Sequence, residues 1–362
     1  MSNPILTMIP GPTPVHERVL EALARPTVSH QYPAFVEAYR ECLSRWRRIG
    51  RSESAQPFVV SGSGTFAMEM ALVNLVAPGE RVLIVSHGFF GDRWEQIAAS
   101  FGIECDLLRA EWGQVVSKER LAAQLEGHDY TAVAVTHVDT SSGTEAPVAE
   151  YASLLDGRNE YLILDGVCAT AGIDERFDDW GLDVLLTGAQ KAFGAPPGVA
   201  ILLVSQRALE TRRNRASVPA YSADWLRWLP IMDDPSKYFS TPPVNQILAL
   251  DEAMGMVLEE GLDARIARHR ELAALMREGL AALGLELFTD ASCRADTLSV
   301  IRHREGIDDA SFRAAMAGQG VIVAAALGPI AGRAFRVGHM GSIGNAEVER
   351  TLGAMRVALG NS

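Results

Sequence analysis

The chain has 362 residues, 48% of them hydrophobic and 22% charged, a globular balance that excludes a disordered chain. A formal net charge of -12 argues against nucleic acid or an anionic membrane as partner, since both would repel it, and leaves a small molecule open. The four cysteines, Cys42, Cys105, Cys168 and Cys293, lie too far apart for a disulfide framework or a metal-ligand spacing.

Residues 1–14 carry no basic patch followed by an apolar run, and no apolar stretch is long enough to span a bilayer, so a cytoplasmic location is expected. From residue 56 to 204, short apolar runs alternate with longer amphipathic segments. Residues 57–60, 81–85, 131–136, 161–164, 183–187 and 199–204 read as buried strands, rich in Val, Ile and Leu and bounded by Gly, Ser or Asp. Helices are expected near 66–76, 92–100, 118–125 and 148–155. Such alternation predicts an α/β fold with a mostly parallel, mixed sheet covered by helices, in which ligands sit just beyond the carboxyl ends of the strands.

After Tyr221 the pattern changes. Residues 222–238 mix acidic residues, two tryptophans and two prolines without a period and read as a loop-rich connector. Its Trp225 and Trp228, together with residues 324–333, are expected at a pocket rim. Thr241-Pro242-Pro243 is expected to cap a helix through Leu258, and a second helix should cover 263–283. Strands at 297–302, 320–323 and 334–337 complete a smaller α/β region. A chain of this length divides into a large domain, 15–255, and a small one formed by 1–14 with 256–362.

Two strand ends carry chemistry. Leu162-Ile163-Leu164 delivers Asp165 where the sheet opens, a position that also suits an aspartate capping a turn. The next strand ends in Gly188-Ala189-Gln190 and delivers Lys191 into an apolar, glycine-rich setting, where desolvation favours a neutral, nucleophilic amine. About one helix-and-strand unit separates the two, so they should emerge on neighbouring strands. Pyridoxal 5′-phosphate (PLP) chemistry needs that pair: an amine to form the Schiff base, and a carboxylate to keep the pyridine nitrogen protonated. A third element, Ser61-Gly62-Ser63-Gly64-Thr65, lies between a strand and a helix and would present backbone N–H groups to a phosphate.

Several blocks occur in one order along the chain: Pro10-Gly11-Pro12-Thr13-Pro14, residues 61–69, Gly188–Lys191 with Pro196-Pro197-Gly198, Tyr238–Pro243, and residues 335–341. In these the chain resembles the class V, fold-type I PLP-dependent aminotransferases, nearest the alanine–glyoxylate and serine–pyruvate group. The resemblance implies a phosphate-binding turn at Ser63, Gly64 and Thr65, with Thr65 standing where the family often has histidine. It implies a ring-stacking aromatic at Phe90, a hydroxyl near the ring at Thr140, and a phosphate contact from Gln190. Tyr238 and Thr241 match residues that reach the neighbouring subunit's phosphate, so a homodimer with shared sites is expected. Arg336 matches the arginine that grips the substrate α-carboxylate, for which a planar guanidinium is apt.

No metal is expected. His137 and His339 are expected to be structural, and Cys168 a small buried residue. The implied reaction moves an amino group from a small L-amino acid, alanine or serine favoured, to the 2-oxo acid glyoxylate or pyruvate, with ping-pong kinetics. Aspartate or 2-aminoethylphosphonate are alternative donors. A cysteine desulfurase-type lyase is a further alternative, for which Cys293 is the C-terminal candidate.

Overall fold

The computed structural model describes residues 5–360; residues 1–4 and 361–362, part of the segments expected to join the small domain, lie outside it. In chain order the first half contains β1 (Leu6–Thr7), α1 (Glu17–Leu23), α2 (Pro33–Ile49), β2 (Gln56–Ser61), α3 (Gly64–Leu75), β3 (Arg81–Ser86), α4 (Phe89–Ser100), β4 (Glu104–Arg109), α5 (Lys118–Gly127), β5 (Ala132–Thr136), β6 (Val138–Asp139) and β7 (Thr144–Glu145). There follow α6 (Val148–Leu155), β8 (Tyr161–Asp165), β9 (Val184–Gly188), β10 (Val199–Val204), α7 (Gln206–Asn214), α8 (Trp225–Asp233), α9 (Val244–Glu260) and α10 (Leu262–Ala282). The last part holds β11 (Leu298–Arg302), α11 (Asp309–Gly318), β12 (Val321–Ile322), β13 (Ala324–Ala325), β14 (Ala334–Gly338) and α12 (Asn345–Gly360).

Seven strands build the main sheet in the order β2-β10-β9-β8-β5-β3-β4. Only β10 is reversed, antiparallel to both β2 and β9. Every residue of β9 and β10 is buried, which explains why these strands read as unbroken apolar runs: helices cover both faces. The edge strand β4 is half-buried and escaped the sequence reading, because Glu104-Cys105-Asp106 dilutes its apolar signal. In register, Thr136 pairs with Asp165 and Asp165 with Leu186, so three parallel strands end side by side. Asp165 and the turn to Lys191 therefore do emerge on neighbouring strands.

Two expectations are corrected here. The stretch 222–238 is no loop: Trp225, Trp228, Ile231 and Met232 form one buried stripe at helical spacing on α8, with Asp224 accepting the Leu226 N–H at 3.0 Å as its cap. Trp225 lies in the core and stacks on Phe58 with centroids 6.1 Å apart, so neither tryptophan lines a pocket rim. Thr241 does not cap the following helix, which starts at Val244 with no side-chain cap. A residue that precedes proline is disfavoured in helical conformation, and Thr241 and Pro242 both do.

A large apolar cluster runs from Val19 to Val257 and fills the space around the main sheet. A second joins Leu6 and Met8 to α10, α11, α12 and the small sheet β11-β14-β13. Strand β12 pairs with β1 instead of entering that sheet. A third cluster lies between them, where Val138, Cys168 and Ala192 meet Leu298, Ala334 and Met340. No helix among the described residues is long and apolar enough to cross a membrane.

Candidate active site

Lys191 enters a cavity of about 150 Å³ at the carboxyl ends of β5, β8 and β9, walled by Asp165, Thr136, Cys168, Phe90 and the Ser63–Thr65 turn. A wider cleft of about 520 Å³ opens at the amino ends of β8 and β9, but its charges are already engaged: Arg158 with Glu160 at 2.6 Å, Arg207 with Asp183 at 2.5 Å. The smaller cavity is the candidate site: its Asp165 and Cys168 are buried, and among the described residues neither Asp165 nor Lys191 forms an ion pair.

Asp165 terminates β8 and is buried; one carboxylate oxygen accepts the Val167 N–H at 2.9 Å. Burial pushes its pKa up to about 7; Asp139 and Glu175 add to the rise, while the Val167 bond and Lys191 oppose it. Lys191 is pushed the other way, below an ordinary lysine, first by burial and also by Arg336. Its ammonium donates to the Pro10 carbonyl. Thr13 holds the same turn, its N–H bonding the Gln190 carbonyl at 3.1 Å and its hydroxyl the Lys191 carbonyl at 2.8 Å.

Gly11 makes this close approach possible. It has φ +111°, and a Cβ there would come within 2.6–2.9 Å of the Lys191 side chain. From the other side, the buried Arg265 of α10 donates to the Ala171 carbonyl at 3.0 Å and the Ala192 carbonyl at 2.5 Å. The roles of Pro10, Thr13 and Arg265 escaped the sequence reading. The Pro10–Pro14 block was visible as a motif, but nothing in it told which strand end it crosses.

Ser63 caps α3, its hydroxyl accepting the Phe66 N–H at 3.2 Å. Gly64 lies so close to Val167 that a Cβ would meet it at 2.9 Å. Thr65 faces the cavity and accepts from the Arg93 guanidinium at 3.1 Å. Phe90 opens α4 and is held there by a residue the sequence reading passed over: the buried Asp139 carboxylate accepts the Phe90 and Gly91 N–H groups, each at 2.9 Å. Asp139 also accepts the Ser141 N–H and hydroxyl, and its place beside Thr140 was the available signal.

Arg336 comes from the centre of the small sheet, not its edge. Its guanidinium is half-buried and donates to the carbonyls of Ala325 at 2.8 Å and Thr140 at 3.2 Å. Gln190 and Thr140 both line the cavity. Tyr238 and Thr241 do not: Tyr238 is 63% exposed, and their hydroxyls lie 3.4 Å apart on a surface next to Thr27–His30.

The remaining titratable groups are tied down. His137 is buried with Nδ1 2.8 Å from Glu175; burial pulls its pKa down, and the Glu175 bond and charge more than offset that, leaving it raised. His339 contacts the Ser299 hydroxyl at 3.0 Å and is pushed down to about 3 by burial. Burial pushes the Cys168 thiol up to about 11, which leaves it protonated and a poor nucleophile. Cys293 is raised to about 11 for the same reason, and its sulfur lies 3.4 Å from the Gly113 carbonyl, outside the cavity wall. No group of three or more His, Cys, Asp or Glu placed to hold a metal occurs among the described residues.

The donor set fits PLP. Among the described residues, Thr136 Oγ1 is buried on the cavity wall without a hydrogen-bond partner, and the Asp165 carboxylate forms no ion pair. Buried polar groups of this kind are costly unless something meets them. A ring carrying a protonated nitrogen does so at Asp165, and a phosphate suits the N-terminus of α3.

Comparison with known proteins supports the same reading. The model of the family Aminotransferase class-V matches residues 16–361. An uncharacterized aminotransferase of Methanocaldococcus jannaschii is 34% identical, covering 98% of this chain and 92% of that protein. The L-aspartate–glyoxylate aminotransferase of Paracoccus denitrificans is 32% identical over 95% of this chain and 88% of its own length. Among solved structures, the alanine–glyoxylate aminotransferase of a Nostoc species superposes with a TM-score of 0.95 at 30% identity, covering 99% of this chain and 96% of that one.

Proposed function

The chain belongs to the class V aminotransferases, PLP enzymes of the alanine/serine–glyoxylate group, and from that premise we propose that it moves the amino group of a small L-amino acid, alanine or serine, to glyoxylate or pyruvate. The observation that carries this reading is the meeting of Lys191 and Asp165 on the wall of one small cavity, with the Arg336 charge near enough to lower the Lys191 pKa. Aspartate is the second reading, supported by the Paracoccus relative.

Ser63, Gly64, Thr65 and Gln190 would hold the phosphate, Phe90 the ring face, Thr140 the ring edge and Asp165 the ring nitrogen. Tyr238 and Thr241, exposed and remote from Lys191 of their own chain, would complete the site of a second subunit in a cytoplasmic homodimer. Residues 15–255 would form the cofactor domain, and 1–14 with 256–362 the small domain that brings Arg336; the separate apolar clusters support that division.

When bound, the cofactor supplies an aldehyde for amines and a ring that accepts the electron pair of the breaking Cα–H bond. Arg336 grips the substrate carboxylate and orients that bond. Lys191, whose pKa burial lowers, would take the Cα proton on Nζ and deliver it to the cofactor carbon that carries the amino group. Asp165 keeps the ring nitrogen's proton in place. The donor leaves as its keto acid before the acceptor keto acid enters, and the acceptor leaves as an amino acid, so kinetics should be ping-pong.

The test is a single-turnover panel that follows the cofactor's visible band with alanine, serine, glycine or aspartate and no acceptor. Bleaching by alanine or serine, reversed by glyoxylate or pyruvate, is expected. If aspartate alone acts, the second reading replaces the first; if none does, the substrate assignment is wrong while the family stands.

A further inference from the structure

Arg93 is an arginine with no assigned partner at the cofactor cavity. It lies one turn after Phe90 on α4, its guanidinium 4.8 Å from the Phe90 ring centroid and 5.3 Å from that of Phe89. Its neighbour Asp92 is occupied by Arg109 at 3.0 Å and by the Ser86 hydroxyl at 2.6 Å. Among the described residues no carboxylate pairs with Arg93, and its one hydrogen bond runs to Thr65 Oγ1 at 3.1 Å.

That bond has a directional consequence. A threonine hydroxyl carries one proton and two lone pairs. A guanidinium can only donate, so Arg93 occupies a lone pair and leaves the Thr65 proton to be given away. Thr65 sits in the first turn of α3, where the Gly64 and Thr65 N–H groups have no acceptor among the described residues. An acceptor placed there receives backbone N–H groups, the Thr65 hydroxyl and, one step behind, a full positive charge.

We infer that Arg93 is a positioning residue for the phosphate end of the cofactor, acting through Thr65 by holding its hydroxyl oxygen so that the proton is free to face the phosphate. The inference rests on the reading that PLP occupies this cavity. The pair Thr65 and Arg93 together present one donor and one charge. The cation over the Phe90 ring also stiffens the first turn of α4 against which the cofactor ring would lie.

The test is titration of the apoprotein with PLP, read by absorbance and by protein fluorescence, for the wild type, R93Q, R93K, T65V, T65S and the double variant R93Q/T65V. T65V and R93Q should each weaken PLP by about tenfold or more, the loss expected for a charge-assisted hydrogen bond. The double variant should be no weaker than T65V alone, because the two side chains act in series. T65S should bind like the wild type, and R93K should fall between. Apoprotein melting temperatures should change little across the series.

Additive losses in the double variant would mean that Arg93 touches the phosphate directly, and would overturn the inference. So would unchanged PLP affinity in R93Q, or a loss explained by a falling melting temperature. A wild type that takes up no PLP overturns the cofactor reading itself, an outcome distinct from either.

Discussion

The Arg336 guanidinium donates to the Thr140 carbonyl at 3.2 Å, a bond that crosses from the small three-stranded sheet to the turn between β6 and β7. Thr140 follows Asp139, and Asp139 holds the first turn of α4 through Phe90 and Gly91. One short path thus connects the residue expected to bind substrate with the ring expected to face the cofactor. Burial lowers the Arg336 pKa, and the nearby Cys168 and Asp139 oppose the fall.

Replacing Arg336 by alanine should cost about 2–5 kcal/mol in substrate binding if the carboxylate pair is desolvated. The change should appear as a higher KM for the amino donor with PLP content unchanged. R336K should recover only part, since an ammonium cannot grip a carboxylate in two places. Equal losses for carboxylate-free amines would contradict the role.

Lys191→Ala should remove the visible band and the reducible link to cofactor, while the protein still folds. Mass spectrometry after borohydride reduction of the wild type should place the modification on Lys191. Modification at another lysine would displace it from the mechanism.

Gly11→Ala should harm the site more than the fold. The position combines φ +111° with a Cβ distance under 3 Å to Lys191. A left-handed backbone angle costs a non-glycine residue about 1–3 kcal/mol, and the contact falls on the catalytic side chain. The expected result is a stable protein with sharply reduced turnover; a normal rate would show that the N-terminal segment can move aside freely.

Asp139→Ala should destabilise the protein by about 1–3 kcal/mol, because it strips acceptors from two buried N–H groups at the start of α4. Denaturant unfolding gives the stability, and PLP titration should show weaker binding as Phe90 loses its fixed position. Stability equal to the wild type would remove Asp139 from this role.

Asp165 predicts a pH trend in the apoprotein. Its pKa rises from an unfolded value near 3.8 to about 7 in the fold. The folded state therefore holds its proton more tightly, and this group's contribution to stability is greatest below about pH 4 and is lost as pH rises through 7. The loss is bounded at ~4 kcal/mol by the size of the shift. Apoprotein unfolding between pH 5 and 8 should show the decline, and D165N should flatten it. Saturating PLP should also flatten it, because a protonated ring nitrogen then faces the carboxylate.

Much of this was legible in the linear chain, for a physical reason in each case. Strands buried on both faces write themselves as unbroken Val, Ile and Leu, so β5, β8, β9 and β10 stood out with Asp165 and Lys191 at their ends. The anion turn at Ser63–Thr65 showed because only a glycine-rich junction leaves N–H groups free. The half-exposed β4 and the acid- and proline-masked α8 did not show, since burial on one face alone leaves a weak pattern. Which segments converge is a matter of long-range packing: Pro10 lies 181 positions from Lys191, and Arg336 lies 196 from Thr140. By itself the sequence placed Asp165 and Lys191 at neighbouring strand ends and a glycine-rich turn at Ser63–Thr65 before a helix, because strand burial and turn chemistry are local. Only the tertiary structure decided that Pro10 meets Lys191, Asp139 the first turn of α4 and Arg93 the Thr65 hydroxyl, because hydrogen bonds between distant segments leave no local periodic trace.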